Sequence, residues 1–315
     1  MADKTKIEWT DASWTPIRAR NLATGRIGWH CEHATTGCEF CYAENMNKRL
    51  GTELPFKPGH RRDIEIFLDE KMLTVPLRWK KPRMIFVCSM SDLFADFVKD
   101  EWIDRMLAVM ALCPQHTFQV LTKRAERMRD YLIANRALQI NGHIWSLLGT
   151  PRGSKIEHGG GWQISLPLPN VWLGVSCERQ QEADERIPLL QQTPATIRFI
   201  SAEPLLGPID LNSEGICRAN MRYGPLPSNL DWVIVGGESG RHARPMQVEW
   251  ARDIVEQCKT AKVPCFVKQL GDAALSDGYP LHLRKAKGGD INEWPLVVRV
   301  REQPIHSNHH AWDFR

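Results

Sequence analysis

From about residue 80 onward the chain alternates two hydrophobic patterns. Short, nearly continuous apolar runs occur at Met84–Cys88 (MIFVC), Thr117–Leu121 (TFQVL), Val171–Val175 (VWLGV), Ile197–Ile200 (IRFI), Trp232–Val235 (WVIV) and Pro264–Lys268 (PCFVK). Runs apolar at both parities predict strands buried on both faces, as in parallel sheets. Between them lie stretches of helical periodicity. Glu101–Leu112 carries Trp102, Ile103, Met106, Leu107, Val109 and Met110, and Val248–Cys258 carries Trp250, Ile254 and Val255. Gln181–Leu190 is polar and helix-prone. Strands alternating with helices predict an α/β protein with right-handed crossovers. Further strands near Ile7–Thr10 and Leu296–Val300 would bring the count to seven or eight. That number favours a partial or full (β/α) barrel with parallel strands over an open doubly wound sheet. No GxGxxG follows an early strand, which argues against a dinucleotide fold.

Two stretches break the alternation. Residues 140–168 contain Gly149, Pro151, Gly153 and Gly159–Gly161, and residues 207–230 contain Pro208, Gly215, Gly224, Pro225 and Pro227. Both read as long loops, which in compact domains often serve as lids or recognition loops. The expected organisation is one barrel domain over residues 1–315, with these insertions and a C-terminal extension from about residue 273.

Chemistry in a parallel barrel collects at the C-terminal strand ends. Six such ends here are polar: Ser89, Ser91 and Asp92; Thr122, Lys123 and Arg124; Ser176, Cys177 and Glu178; Ser201 and Glu203; Gly236, Gly237, Glu238 and Ser239; Lys268 and Gln269. The serines have an alternative duty as caps of the following helices. Glu203 and Glu238 follow strands in otherwise apolar stretches and point to function. Lys268 ends a buried strand and needs a partner, either a rim carboxylate or a carboxylate on a substrate. Asp92, Lys123, Arg124 and Lys268 are the candidate catalytic or substrate-contacting residues.

Composition adds little to this picture. Hydrophobic residues make up 43% and charged residues 25% of 315, an ordinary globular balance. No apolar run approaches the roughly 20 residues that span a bilayer, and MADKTKIEWTD lacks an apolar signal core. A cytoplasmic protein without a membrane partner is expected. The net charge of +4, with local clusters at Arg78, Lys80, Lys81 and Arg83 and at Lys123, Arg124, Arg127 and Arg129, is compatible with a nucleic-acid partner.

The cysteines change the picture. Cys31, Cys38 and Cys41 fall within eleven residues, whereas Cys88, Cys113, Cys177, Cys217, Cys258 and Cys265 are scattered and read as small buried hydrophobes. A tight thiol cluster in a reducing compartment more often binds metal than forms disulfides. Three thiolates on a 4Fe-4S cluster leave one iron free for a small molecule. Zinc is the competing reading, with His30 or His33 as fourth ligand or the distant His306, His309 and His310 supplying one. Iron–sulfur is preferred because no second close Cys or His pair lies near the cluster. A zinc-stabilised nucleic-acid-binding protein, or an iron–sulfur protein with a structural or electron-transfer role, remain the alternatives.

In order along the chain, CEFCYAE, SMSDLF, LTKRAERM, VWLGVSCE, ISAEPLLGPI, WVIVGGESGRHARPM and FVKQLG resemble the successive motifs of a phage-associated family of unknown function. That family is in turn similar to the radical S-adenosylmethionine superfamily. The resemblance implies a (β/α) barrel of TIM type, a 4Fe-4S cluster on Cys31, Cys38 and Cys41, and S-adenosylmethionine as second cofactor. By position, Phe40 matches the aromatic residue near the adenine. Gly236, Gly237 and Glu238, with Glu203, are the expected cofactor-binding residues. The gap between the first two cysteines is longer, and the glycine–glycine–glutamate run later, than in that superfamily. The implied activity is radical enzyme chemistry with an electron donor; a nucleic acid or nucleotide is the expected substrate, from the phage association, the strand-end pair Lys123–Arg124 and the twelve tryptophans.

Overall fold

The computed structural model describes residues 4–149, 164–218 and 230–304, apart from the side chains of Cys217 and Arg218. The Gly159–Gly161 stretch, Gly224, Pro225, Pro227, His306, His309 and His310 lie outside the described residues.

The chain opens with β1 (Ala12–Trp14), followed by three short strands, β2 (Ile17–Asn21), β3 (Ile27–Gly28) and, after helix α1 (Tyr42–Leu50), β4 (Ile64–Leu68). A short helix α2 (Glu70–Leu73) leads into the alternating part. There the order is β5 (Met84–Val87), α3 (Asp100–Ala111), β6 (Thr117–Thr122), α4 (Ala125–Ile133), α5 (Ala137–Leu147), β7 (Val171–Ser176), α6 (Gln180–Gln192), β8 (Ile197–Ala202) and α7 (Glu214–Arg218). The last part holds β9 (Trp232–Gly236), β10 (Met246–Gln247), α8 (Val248–Ala261), β11 (Cys265–Gln269), β12 (Ala274–Ser276) and β13 (Tyr279–Pro280).

Seven strands form one all-parallel sheet in the order β1-β5-β6-β7-β8-β9-β11, curled into a half-barrel flanked by helices. The six apolar runs are its six longer strands. Strand alternation separates two cores. One parity, with Ile85, Val87, Val120, Leu173, Val175, Val233, Val235 and Val267, packs against helical residues such as Ile103, Met106, Ile187 and Ile254. The other parity puts Phe86, Trp172, Phe199, Trp232, Ile234 and Phe266 in a second cluster together with Trp9. Gly174 belongs to this second parity for a steric reason: a Cβ there would lie 2.6 Å from the Phe199 ring.

Four expectations need correction. Ile7–Thr10 is not a strand; the first parallel strand is Ala12–Trp14, and Trp9 is instead a buried side chain of the aromatic cluster. Leu296–Val300 is not a strand either. Leu296–Val298 is a 3-10 turn, and the extended pairing that follows it is an antiparallel bridge from Arg301 to Phe266. The region from residue 140 is helical up to Leu147 rather than loop. The second insertion includes the short helix Glu214–Arg218. The small antiparallel sheet β3-β2-β4 had no counterpart in the sequence reading.

That small sheet matters because the cysteine segment leaves from it. Residues 29–41 connect β3 to α1. Asn47, fully buried in α1, ties both ends of this excursion. Its Oδ1 accepts from Trp29 N at 2.9 Å and Thr52 N at 3.1 Å, and its Nδ2 donates to Thr52 Oγ1 at 2.7 Å and Leu54 O at 2.9 Å.

Candidate functional site

The cysteine segment lies across the C-terminal strand ends of the half-barrel, and each side of it is held by charged groups from those ends. On the Cys31 side, the Arg124 guanidinium donates to Glu32 O at 2.8 Å and to Asp92 Oδ2 at 2.9 Å. Asp92 also accepts from Thr122 Oγ1 at 2.7 Å, Lys123 N at 3.1 Å and Phe94 N at 2.9 Å. Ser91 Oγ donates to His30 O at 2.7 Å. Asp92 and Arg124 therefore fasten strand ends β5 and β6 to the loop.

On the Cys38 side the support is Glu178. This carboxylate is fully buried, forms ion pairs with Lys123 and with Arg186 (3.2 Å), and accepts from Thr35 Oγ1 at 3.3 Å. Gly37 rests directly on it: a Cβ at Gly37 would be 2.5 Å from the Glu178 side chain. A 3-10 turn, Thr36–Cys38, sits at this point. Burial pushes the Lys123 ammonium below its ordinary pKa, against the opposing influence of nearby Cys38.

The three thiols share one neighbourhood. Cys31 and Cys41 pack against the small cluster of Ala43, Phe56 and Met90. Burial pushes both of these thiols above the usual range, and each senses Cys38 as a further like charge. Cys38 Sγ accepts from Ala34 N at 3.5 Å. Among the described residues, no group of three or more His, Cys, Asp or Glu side chains is gathered at metal-holding distance. The donor set is nonetheless chemically suited to a soft metal: three thiols on one short segment, Cys31 and Cys41 desolvated by burial, with cationic Lys123 and Arg124 beside them. Both neighbouring histidines are engaged with carboxylates, His30 with Glu32 at 3.3 Å and His33 with Glu44 at 2.7 Å.

The remaining expected residues divide into two groups. Lys268 Nζ donates to Glu203 Oε1 at 2.8 Å, and Ser201 Oγ donates to Glu203 Oε2 at 3.0 Å. Gly236 flanks this pair; a Cβ there would be 2.7 Å from Glu203 Oε1. Glu238, by contrast, is occupied by Arg244, whose Nε and Nη2 donate to its two oxygens at 2.9 and 2.7 Å. Gly237 lacks room for a side chain because a Cβ there would lie 2.2 Å from Leu270 O. Phe40 stacks on His242 with centroids 5.9 Å apart and also lies 5.2 Å from the Arg244 guanidinium.

Two contributors, Arg244 and Tyr42, escaped sequence reasoning, and a third was seen without its role. Glu178 was visible as a strand-end acid but had no mark of its central place. Arg244 follows a conspicuous strand end but meets the loop from about two hundred residues away. Tyr42, next to Cys41, donates its hydroxyl to Ser89 O at 2.6 Å. The residue is about half exposed as a whole, but desolvation at its hydroxyl raises that group's pKa, with Cys41 and Glu203 adding to the effect.

With this geometry in hand, the fold and site define an α/β half-barrel carrying a three-cysteine segment over its strand ends. The profile of a family described as "Protein of unknown function (DUF5131)" matches residues 4–303, and the chain belongs to that family. No curated protein and no solved structure matches the chain.

Proposed function

We propose that the chain is an iron–sulfur enzyme of the radical S-adenosylmethionine type, acting on a nucleic acid or a nucleotide. One observation carries the reading: the three-cysteine segment is folded over the C-terminal mouth of a parallel half-barrel and tied there by residues of the connections that follow β5, β6, β7 and β9. This is where barrel enzymes do their chemistry. The resemblance of the ordered motifs to a phage-associated family, and through it to the radical superfamily, points the same way.

Cys31, Cys38 and Cys41 would hold the 4Fe-4S cluster through their thiolates. When bound, the cluster would supply the electron that cleaves S-adenosylmethionine, and an external electron donor would recharge it. The chain's own residues bind and orient. Glu203 and Lys268 together offer a carboxylate and an ammonium at one place, suited to a zwitterionic amino-acid group. Phe40 offers a half-buried aromatic face beside the cysteines. Asp92, Lys123 and Arg124 hold the loop in place, and Lys123 also sets positive charge beside the sulfurs. The nucleic-acid or nucleotide preference rests on the phage association that the resemblance implies, on the strand-end pair Lys123–Arg124 and on the twelve tryptophans. No helix among the described residues is long and apolar enough to cross a membrane.

Anaerobic reconstitution followed by a cleavage assay tests the reading. A brown protein with about four irons per chain, production of 5′-deoxyadenosine after reduction, and loss of both on Cys38→Ala are expected. Repeating the assay with DNA, RNA and nucleotides tests the substrate. A colourless chain with zinc would replace this reading with a zinc-stabilised nucleic-acid-binding protein. Iron without 5′-deoxyadenosine would leave a structural or electron-transfer role.

A further inference from the structure

The connection from β9 to β10 reaches over to the cysteine segment through two side chains, Arg244 and His242. Arg244 uses its guanidinium in two directions at once. Nε and Nη2 are taken by Glu238, which also accepts from the Arg244 backbone N at 2.9 Å. Nη1 points the other way, donating to Thr36 O at 2.9 Å and approaching Glu39 Oε2 at 3.4 Å. The same group lies 5.2 Å from the Phe40 ring centroid, and His242 covers that ring at 5.9 Å. Hydrogen bonding to Glu238 raises the Arg244 pKa, so the charge is secure.

The contacts fall on the residues that flank Cys38. Thr36 begins the turn that ends in Cys38, and Glu39 and Phe40 follow it. We propose that Arg244, braced by Glu238, is a positioning residue that latches the Thr36–Phe40 turn onto the barrel mouth and thereby fixes Cys38 and Phe40. The significance of those two residues rests on the proposed iron–sulfur reading; the latch itself is a property of the chain alone. A planar fork is required, because only guanidinium can grip a carboxylate with two donors and still offer a third to a carbonyl on its far side. Glu238 accordingly acts through Arg244 rather than on a ligand.

The test uses the full chain, reduced and without added metal. The rate at which iodoacetamide modifies Cys38 is followed by peptide mass spectrometry, with buried Cys113 and Cys258 as internal references. In Arg244→Gln and in Glu238→Gln the Cys38 rate should rise on the order of tenfold through local opening, with both references unchanged. Arg244→Lys should behave like Arg244→Gln, since charge without the fork does not restore the grip. After anaerobic reconstitution, the reduced variants should show an altered electron paramagnetic resonance spectrum at unchanged iron content. Parent-like Cys38 reactivity in both glutamine variants would overturn the latch, as would equal acceleration at Cys113 and Cys258. If Arg244→Gln does not fold, Glu238→Gln decides the matter. Accelerated Cys38 modification in a chain that takes up no iron would sustain the latch and sink the cluster. Normal iron uptake with indifferent Cys38 would do the reverse.

Discussion

His116 sits in the connection between α3 and β6, 1% exposed, with its ring edge-on to Trp79 and Phe118 at 6.0 and 6.2 Å. Burial lowers its pKa below the ordinary value, Arg83 pushes the same way, and the Pro76 and Trp79 backbone oppose them. The sign of the effect follows. With the folded pKa below the unfolded value of about 6.5, the unfolded chain binds more protons in the window between them. Stability is therefore fully present above that window and is lost as pH falls through it. Guanidinium midpoints should decline between neutral and mildly acidic pH, and His116→Phe should flatten the decline. His30, also lowered by burial, contributes with the same sign, so a residual slope should remain. An unchanged slope in His116→Phe would show that the imidazole charges freely in the folded chain. At this scale, the sequence disclosed which residues cluster locally but not which charges pair. Cys31, Cys38 and Cys41 stand out because their spacing is short. Arg244 does not, because its partner Thr36 lies 208 positions away and nothing local marks the encounter.

Elements were legible where one pattern dominated. The six apolar runs became strands within a residue or two of their expected ends, since burial on both faces leaves little room for other structure. Strands β2 and β4 were missed for the opposite reason. IRARN alternates buried and half-buried positions, the signature of an antiparallel sheet with one wet face, while the dominant theme was continuous runs. Helix α5 was masked by Asn141 and Gly142, which weaken helix propensity; Ile140 and Ile144, one turn apart and buried, override them. Packing of α5 also depends on a polar hub invisible in periodicity. Asp104 of α3 accepts from Tyr131 Oη of α4 at 2.6 Å and from Arg136, at the start of α5, at 2.7 and 2.6 Å. Its side chain is 2% exposed. Asp104→Ala should destabilise the protein by roughly 3 kcal/mol, the lower end for a broken buried pair because water can reach Arg136. Chemical denaturation checks this, and a loss below about 1 kcal/mol would mean the hub is no more than a surface pair.

For the whole molecule, a half-barrel poses a problem that a closed barrel does not: β1 and β11 are edges, and the concave face between them must be filled. The chain fills it with aromatic rings. Trp9, just before β1, lies 4.8 Å from Phe86, 6.2 Å from Trp232 and 6.5 Å from Phe199, while Trp232 reaches Trp172 at 5.9 Å and Phe266 at 6.1 Å. A ring donated from outside the sheet thus joins strands from β5 to β11 across the concave face. This explains why IEWT failed as a strand: the tryptophan that gave it strand character serves as a plug. Arg301 performs the matching task at the far edge, donating to Val267 O at 3.2 Å and Lys268 O at 2.9 Å. Replacing the plug tests whether the floor supports the mouth. Trp9→Ala should destabilise by about 3–5 kcal/mol, combining lost transfer energy with a cavity. Because Trp9 touches residues of β5, β8 and β9, the loss should loosen strands that carry Ser91, Glu203 and Glu238 at their far ends. Hydrogen exchange should then accelerate in β5, β8 and β9 together, including the mouth residues. Acceleration confined to residues 5–11 would show that the plug merely covers an already self-sufficient sheet.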